Sequence, residues 1–250
     1  MTFPRRLIPW RIRDAFATGA PRRNGPPTSP ARGATDVKQL LRALERKRRA
    51  AARVAPQPAP NGPFPGYYER YTYMSFRLDG LDVSEAEVRE ALAHGAAALA
   101  CRTCQARRIR NHAAILRQIE RLLRDGRALT GNDVIRWYTL VACGLSGGPI
   151  DQQTPWRLDR IVSAMNSPQL RLGPALRDIA AVYLRLLSDP FVPGFNGILA
   201  RLLLRYHLGR CGLPPVLFDP ADAAAPAGEA ALLPKLLELI LESYESTTTA

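Results

Sequence analysis

Long apolar runs are missing from this chain: no stretch of 18 consecutive apolar residues occurs, so no membrane-spanning helix is expected. Cysteine is scarce as well. Of Cys101, Cys104, Cys143 and Cys211 only the first two form a close pair, and no second pair follows it. The three histidines, His94, His112 and His207, fall at no metal-ligand spacing. A structural zinc ion needs four ligands, so no metal site is expected, and the thiols read as reduced side chains of a cytoplasmic protein. Alternation with period two is absent too, which excludes a sheet-based fold. Acidic residues are short in one region only: residues 1–62 hold 14 Lys and Arg against 3 Asp and Glu, leaving 21 against 19 for residues 63–250. Of the net charge of +13, all but +2 therefore belongs to the leader, and overall basicity is no argument that the remainder binds nucleic acid.

What is present is mostly helical signal. Residues 1–35 mix Arg, Pro and Gly without period and read as an extended arm, Arg-rich and acid-poor like a transit peptide but lacking a secretory h-region. A helix follows from Asp36, with Leu40, Leu41 and Leu44 on one face and the basic block Arg46–Arg49 behind them. PQPAPNGPFPG (56–66) reads as a linker. The aromatic cluster Tyr67, Tyr68, Tyr71, Tyr73 and Phe76 is an anchor onto a core or a base-stacking surface.

From Ser84 onward caps and periodicity place one helix after another. Ser84-x-x-Glu87 is a capping box, Cys104–Arg124 carries apolar residues at helical spacing up to Gly126, and Thr130-x-x-Asp133 caps the next helix, running toward Gly144. Further helices are expected near 154–166 and 170–187, after residue 196, and from Glu229 to about Tyr244. The fold expected is all-α with about seven or eight helices. It divides into a basic arm with one helix (1–62), a helical domain (63–225) and a C-terminal helix packed on it (226–250).

Two separated stretches then share a resemblance. DPFVPGFNGILARLLLRYHL (189–208) resembles the Fic (filamentation-induced-by-cAMP) signature H-P-F-x-[D/E]-G-N-G-R-x-x-R. With Phe195 inserted, Pro190, Phe191, Gly194, Asn196, Gly197 and Arg201 stand on matching letters. YMSFRLDGLDVSEAEVREAL (73–92) is similar to the family's inhibitory motif [S/T]-x-x-x-E-[G/N], with Ser75 and Gly80 matching and Asp79 in place of the glutamate. NHAAILRQIERLLRDGRALTGNDVI (111–135) resembles the family's core helix and the turn after it.

The resemblance implies a Fic-like helical domain, and most of that family move AMP from ATP onto a protein hydroxyl. It also implies where this chain departs. Asp189 stands at the base histidine, Pro193 at the acidic Mg²⁺ ligand and Ile198 at the first phosphate-binding arginine, while 145–157, where the target-aligning flap belongs, shows no strand pair. A carboxylate with a reference pKa near 3.9 is a poor base at pH 7. No cofactor is firmly implied; ATP or another nucleotide would have to bind without a ligand at Pro193. An ion pair between Asp79 and Arg201, direct or through water, is expected.

Three functions stay open on these residues. One is a degenerate Fic-fold protein acting by binding or regulation, with a protein partner, an anionic partner for the arm, and room for a homo-oligomer. The second is a repurposed enzyme with Asp189 in the catalytic place, helped by Arg205 or His207 if the helix turns them toward the pocket; 201 and 205 share a face and 207 does not. The third is an unrelated helical interaction domain.

Overall fold

The computed structural model describes residues 31–53, 66–93, 104–142, 154–166, 172–188, 194–219 and 229–248. Among them lie nine α-helices and no strand: α1 (Ala31–Arg53), α2 (Tyr67–Leu78), α3 (Glu85–Ala93), α4 (Cys104–Arg124), α5 (Gly131–Val141), α6 (Thr154–Asn166), α7 (Leu172–Ser188), α8 (Asn196–Arg210) and α9 (Glu229–Thr248). The architecture is all-α, as the periodicity indicates. No described helix is long and apolar enough to cross a membrane.

Local chemistry sets several of the helix ends. α1 begins at Ala31, so the last residues of the stretch expected to be extended are helical; Ala31, Arg32 and Ala34 are good helix formers. Ser84 Oγ accepts from the Glu87 N–H (3.2 Å) while the Glu87 carboxylate accepts from the Ser84 N–H (2.8 Å), so α3 starts on a complete capping box. Thr130 and Asp133 form the same reciprocal pair at the start of α5. α4 stops before Gly126, whose φ of 62° ends helical geometry without side-chain strain. α5 closes at Val141, short of the glycine expected to end it.

The aromatic cluster is a helix. Tyr and Thr favour strands on average, which hides α2 from a propensity reading. Yet Tyr67, Tyr68, Tyr71, Thr72, Ser75 and Phe76 all turn inward, at the i, i+4 and i+1 offsets of one helical face. Rings this buried are anchors, and the base-stacking alternative falls: Tyr67 is fully buried and Tyr71 is 3% exposed.

α8 is the axis of the molecule. Every residue from Ile198 to Leu208 is buried, including Arg201, Arg205 and His207. A helix with no polar face is surrounded on all sides. Here α2, α4 and α7 pack on it closely, with α5 and α6 touching it further along. α1 lies against α9 and α7, with Leu44 fully buried. Tyr206 joins the far end of α8 to its surroundings: its hydroxyl donates to Asn166 Oδ1 of α6 (2.9 Å) and accepts from the Leu129 N–H (2.9 Å).

Candidate functional site

The site forms where the end of α2 meets the beginning of α8. Residues 67, 71, 75 and 79 are four apart, so they stack along one side of α2. Each makes a polar contact with α8, in antiparallel order. The Tyr67 hydroxyl accepts from Arg205 Nε (3.1 Å), and the Tyr71 hydroxyl donates to the Arg201 carbonyl (2.8 Å). Ser75 accepts twice from Arg201, at its Oγ from Nε (2.9 Å) and at its carbonyl from Nη2 (2.6 Å). Asp79 completes the row with a direct ion pair, Oδ1 to Arg201 Nη2 at 2.5 Å.

Gly80 explains how Asp79 comes to that position. α2 ends in a Schellman turn: the Gly80 N–H donates to the Arg77 carbonyl (3.0 Å) and the Leu81 N–H to the Phe76 carbonyl (3.0 Å). This turn needs a left-handed residue just past the cap, and Gly80 supplies it with φ 73°. Asp79 is thereby fixed at the C-cap of the helix, its side chain one turn beyond Ser75 on the same face.

The second oxygen of Asp79 has a different partner. Oδ2 accepts from the backbone N–H of Ile198 (3.0 Å), in the first turn of α8. Those N–H groups have no partner inside the helix and carry partial positive charge. The residue at the N-cap, Phe195, contributes no side-chain bond and sits in the left-handed region at φ 54°, uncommon for a bulky side chain. Its ring is buried and lies under the Arg108 guanidinium, 5.7 Å from centroid to Cζ. The cap of α8 thus arrives from a residue more than a hundred positions earlier in the chain. Gly197 is required for that approach, because a Cβ there would run into the Asp79 carboxylate.

The electrostatics follow from burial and partner. Burial works against the charge of Arg201, but Asp79, with Tyr183 and Tyr71 beside it, more than offsets this and raises its pKa above the ordinary arginine value. Burial pushes the Tyr71 hydroxyl up. His112, behind α2, is held neutral by burial and by Arg201, its pKa lowered to about 3. Its Nδ1 lies 2.9 Å from Thr72 Oγ1.

Of the residues singled out by sequence, Ser75, Asp79, Gly80, Gly197 and Arg201 converge. Gly194, with φ 69°, and Asn196, the first residue of α8, lie in the loop and turn beside them. Asp189, Pro190, Phe191 and Pro193, and the flap segment apart from its last residues, lie outside the described residues. Arg205 and His207 do not reach the site. Arg205 is taken by Glu120 in a two-point contact, Nε–Oε1 3.0 Å and Nη2–Oε2 2.8 Å, and His207 is buried without a hydrogen-bond partner among the described residues. Sequence reasoning missed Tyr67, Tyr71 and Glu120. The four-residue ladder ending at Asp79 could have revealed the tyrosines; nothing local marks Glu120.

No protein-family model matches the sequence, and no curated protein does. Solved structures do match by shape. A fragment of Fic-1 from C. elegans superposes with a TM-score of 0.63 at 17% identity, covering 88% of this chain and 72% of its own. A substituted form of the same fragment gives 0.67 at 19%, covering 88% and 73%. A Fic-domain-containing signaling protein from Bacteroides thetaiotaomicron gives 0.57 at 16%, covering 85% and 96%. The central α8, with residues 75–80 set against its start, is the arrangement that the resemblance implies. The chain has the fold of a Fic domain.

Proposed function

We propose that this protein is a degenerate Fic-fold protein that does not transfer AMP and acts by binding or regulation. One observation carries the reading: the Asp79 carboxylate occupies both the guanidinium of Arg201 and the Ile198 N–H, the two groups of α8 best suited to receive a phosphate. An incoming anion would have to displace the one already built into the chain.

The residues around it do not fit Mg–ATP. The acidic metal ligand of the family is replaced by Pro193, whose side chain offers no oxygen. The first phosphate-binding arginine is replaced by Ile198, a side chain turned into the core at 1% exposure. Asp189 stands where the base histidine belongs. Charge neutralisation, clamp and base are the parts on which phosphoryl chemistry rests.

The test is incubation of the full chain, and of Asp79→Ala, with Mg–ATP and a panel of other nucleotides, followed by intact mass spectrometry. No adduct on the protein or on added protein substrates is the expected result. A covalent adduct that disappears in Asp189→Ala would overturn it in favour of the repurposed enzyme.

A further inference from the structure

The near-neutral sum for residues 63–250 conceals a segregation among the described residues. α3 and the turn before it carry Asp82, Glu85, Glu87 and Glu90, all exposed. The outward side of α4 carries the opposite sign: Arg117, Arg121 and Arg124 are exposed and lie within about 60° of one another around the helix. The only acidic residue of α4, Glu120, faces inward to Arg205.

The row continues past α4 because the far end of α8 draws several elements together. Leu123 of α4 packs on Gly209, and the Arg127 carbonyl lies 3.3 Å from the Tyr206 hydroxyl. Arg210 donates to the Asn166 carbonyl (3.4 Å), and Arg48 of α1 donates to the Cys211 carbonyl (3.4 Å). Arg124, Arg127, Arg210 and Arg48 therefore surround one end of the helix whose other end holds Asp79. Nearby acids are Asp125 and Glu45, the latter 3.4 Å from Arg48. Among the described residues no carboxylate pairs with Arg117, Arg121, Arg124, Arg127 or Arg210. Favourable interaction with a helix dipole accounts for Arg121 and Arg124 at the end of α4 and for Arg210 at the end of α8, but not for Arg117 or Arg127. Arg117 is also pre-positioned, its Cζ 4.7 Å over the ring of Tyr68, which lowers the entropy cost of engaging an anion.

The geometry points to this arginine rim as a binding surface for the phosphate backbone of a nucleic-acid duplex. Arg117 to Arg124 spans about 10 Å of helix axis, over which a duplex presents roughly six phosphate charges. Backbone binding needs cations and no apolar anchor, and this face offers little else: Ala114 on α4 and Ala128 beside Arg127 are small exposed apolar side chains, while Ile109, Leu116 and Ile119 point into the core. That same lack disfavours a protein partner, whose interface would carry an apolar centre, and an inserted membrane helix.

The experiment is fluorescence anisotropy of a labelled 20-base-pair mixed-sequence DNA duplex with the full chain, across a salt series. Arg121→Gln/Arg124→Gln/Arg127→Gln is compared with a control of equal charge change, Arg89→Gln/Arg177→Gln/Arg185→Gln, on α3 and α7. Circular dichroism checks that both remain folded. The rim variant should weaken binding at least tenfold and flatten the slope of log K against log salt by about 2–3, at roughly 0.9 for each phosphate no longer neutralised. The control should change affinity less than twofold. Equal effects of the two triples would overturn the proposal, as would failure of the wild type to bind the duplex. Binding to phosphatidylserine vesicles but not to duplex would overturn it in favour of a lipid surface.

Discussion

Arg201 and Arg205 stand one turn apart on α8, equally buried, each facing a carboxylate from another helix. Their partners differ in what else they do. Glu120 comes from within α4, one turn before its end, and gives both oxygens to Arg205, fixing two helices to each other. Asp79 comes from a helix end and divides its oxygens between Arg201 and the first turn of α8. The first pair is a strut between two rigid elements. The second is a carboxylate seated where an outside anion would bind, so the same residue pairing serves packing in one place and occupancy of a site in the other. Neither pair argues for stability by its mere presence, since desolvating two charges offsets most of their attraction. Removing one partner is informative.

The largest effect is expected at the strut. Glu120→Ala leaves Arg205 buried with the Tyr67 hydroxyl alone, and its Nη1 already has no partner among the described residues. An uncompensated buried charge costs about 3–5 kcal/mol, readable as a shift in urea unfolding. A loss below that of Asp79→Ala would reverse the comparison.

A third basic side chain of α8 extends it. His207 is buried like the arginines but no carboxylate pairs with it among the described residues, and burial first, then Arg210, lowers its pKa to about 4. A partnerless group is kept neutral where the partnered ones stay charged. The unfolded chain, with a histidine pKa near 6.5, binds the proton more readily than the folded one. The resulting stability is complete above pH 6.5 and is lost as pH falls toward 4, by about 2 kcal/mol between pH 7 and 5. His207→Leu should make the decline over that interval shallower, with His112 supplying part of what is left. An unchanged decline would mean that His207 already carries its proton inside the fold.

Asp79→Ala is expected to cost less, about 1–2 kcal/mol, because Arg201 keeps both bonds to Ser75. Its distinctive result is a response to anions. With the carboxylate gone, inorganic phosphate or sulfate should raise the melting temperature of the variant more than that of the wild type, by binding the freed guanidinium and N–H. Equal responses would remove the distinction between strut and occupied site.

How much of this was legible depends on how local each cause is. The capping boxes at Ser84 and Thr130 lie within a turn of helix, so their residues alone located them, whereas the run from Ser75 to Gly80 stood out through the resemblance. The Asp79–Arg201 pair needed a resemblance, since nothing in the spacing of two residues 122 apart joins them. α2 was hidden because tyrosine and threonine carry strand propensity, and packing against α8 overrode it. Glu120 looks like any charged residue of a helix rich in arginine; only the fold turns it inward. The charge split told the same lesson in reverse. A near-zero sum for residues 63–250 could not show that acids gather on α3, and that Arg124, Arg127 and Arg210, with no carboxylate partner among the described residues, gather around the far end of α8.

The smallest effect is the sharpest, because its sign should change. Gly197 lies in the first turn of α8, where alanine is otherwise preferred by about 1 kcal/mol. In the wild type a Cβ at this position meets the Asp79 carboxylate, with Arg201 Nη1 close behind, so Gly197→Ala should destabilise. In the Asp79→Ala background the obstacle is gone, and the same substitution should be neutral or stabilising by up to about 1 kcal/mol. The two residues must then show a coupling energy in a double-mutant cycle. Additive effects of Gly197→Ala and Asp79→Ala would show that the carboxylate does not sit against the start of α8.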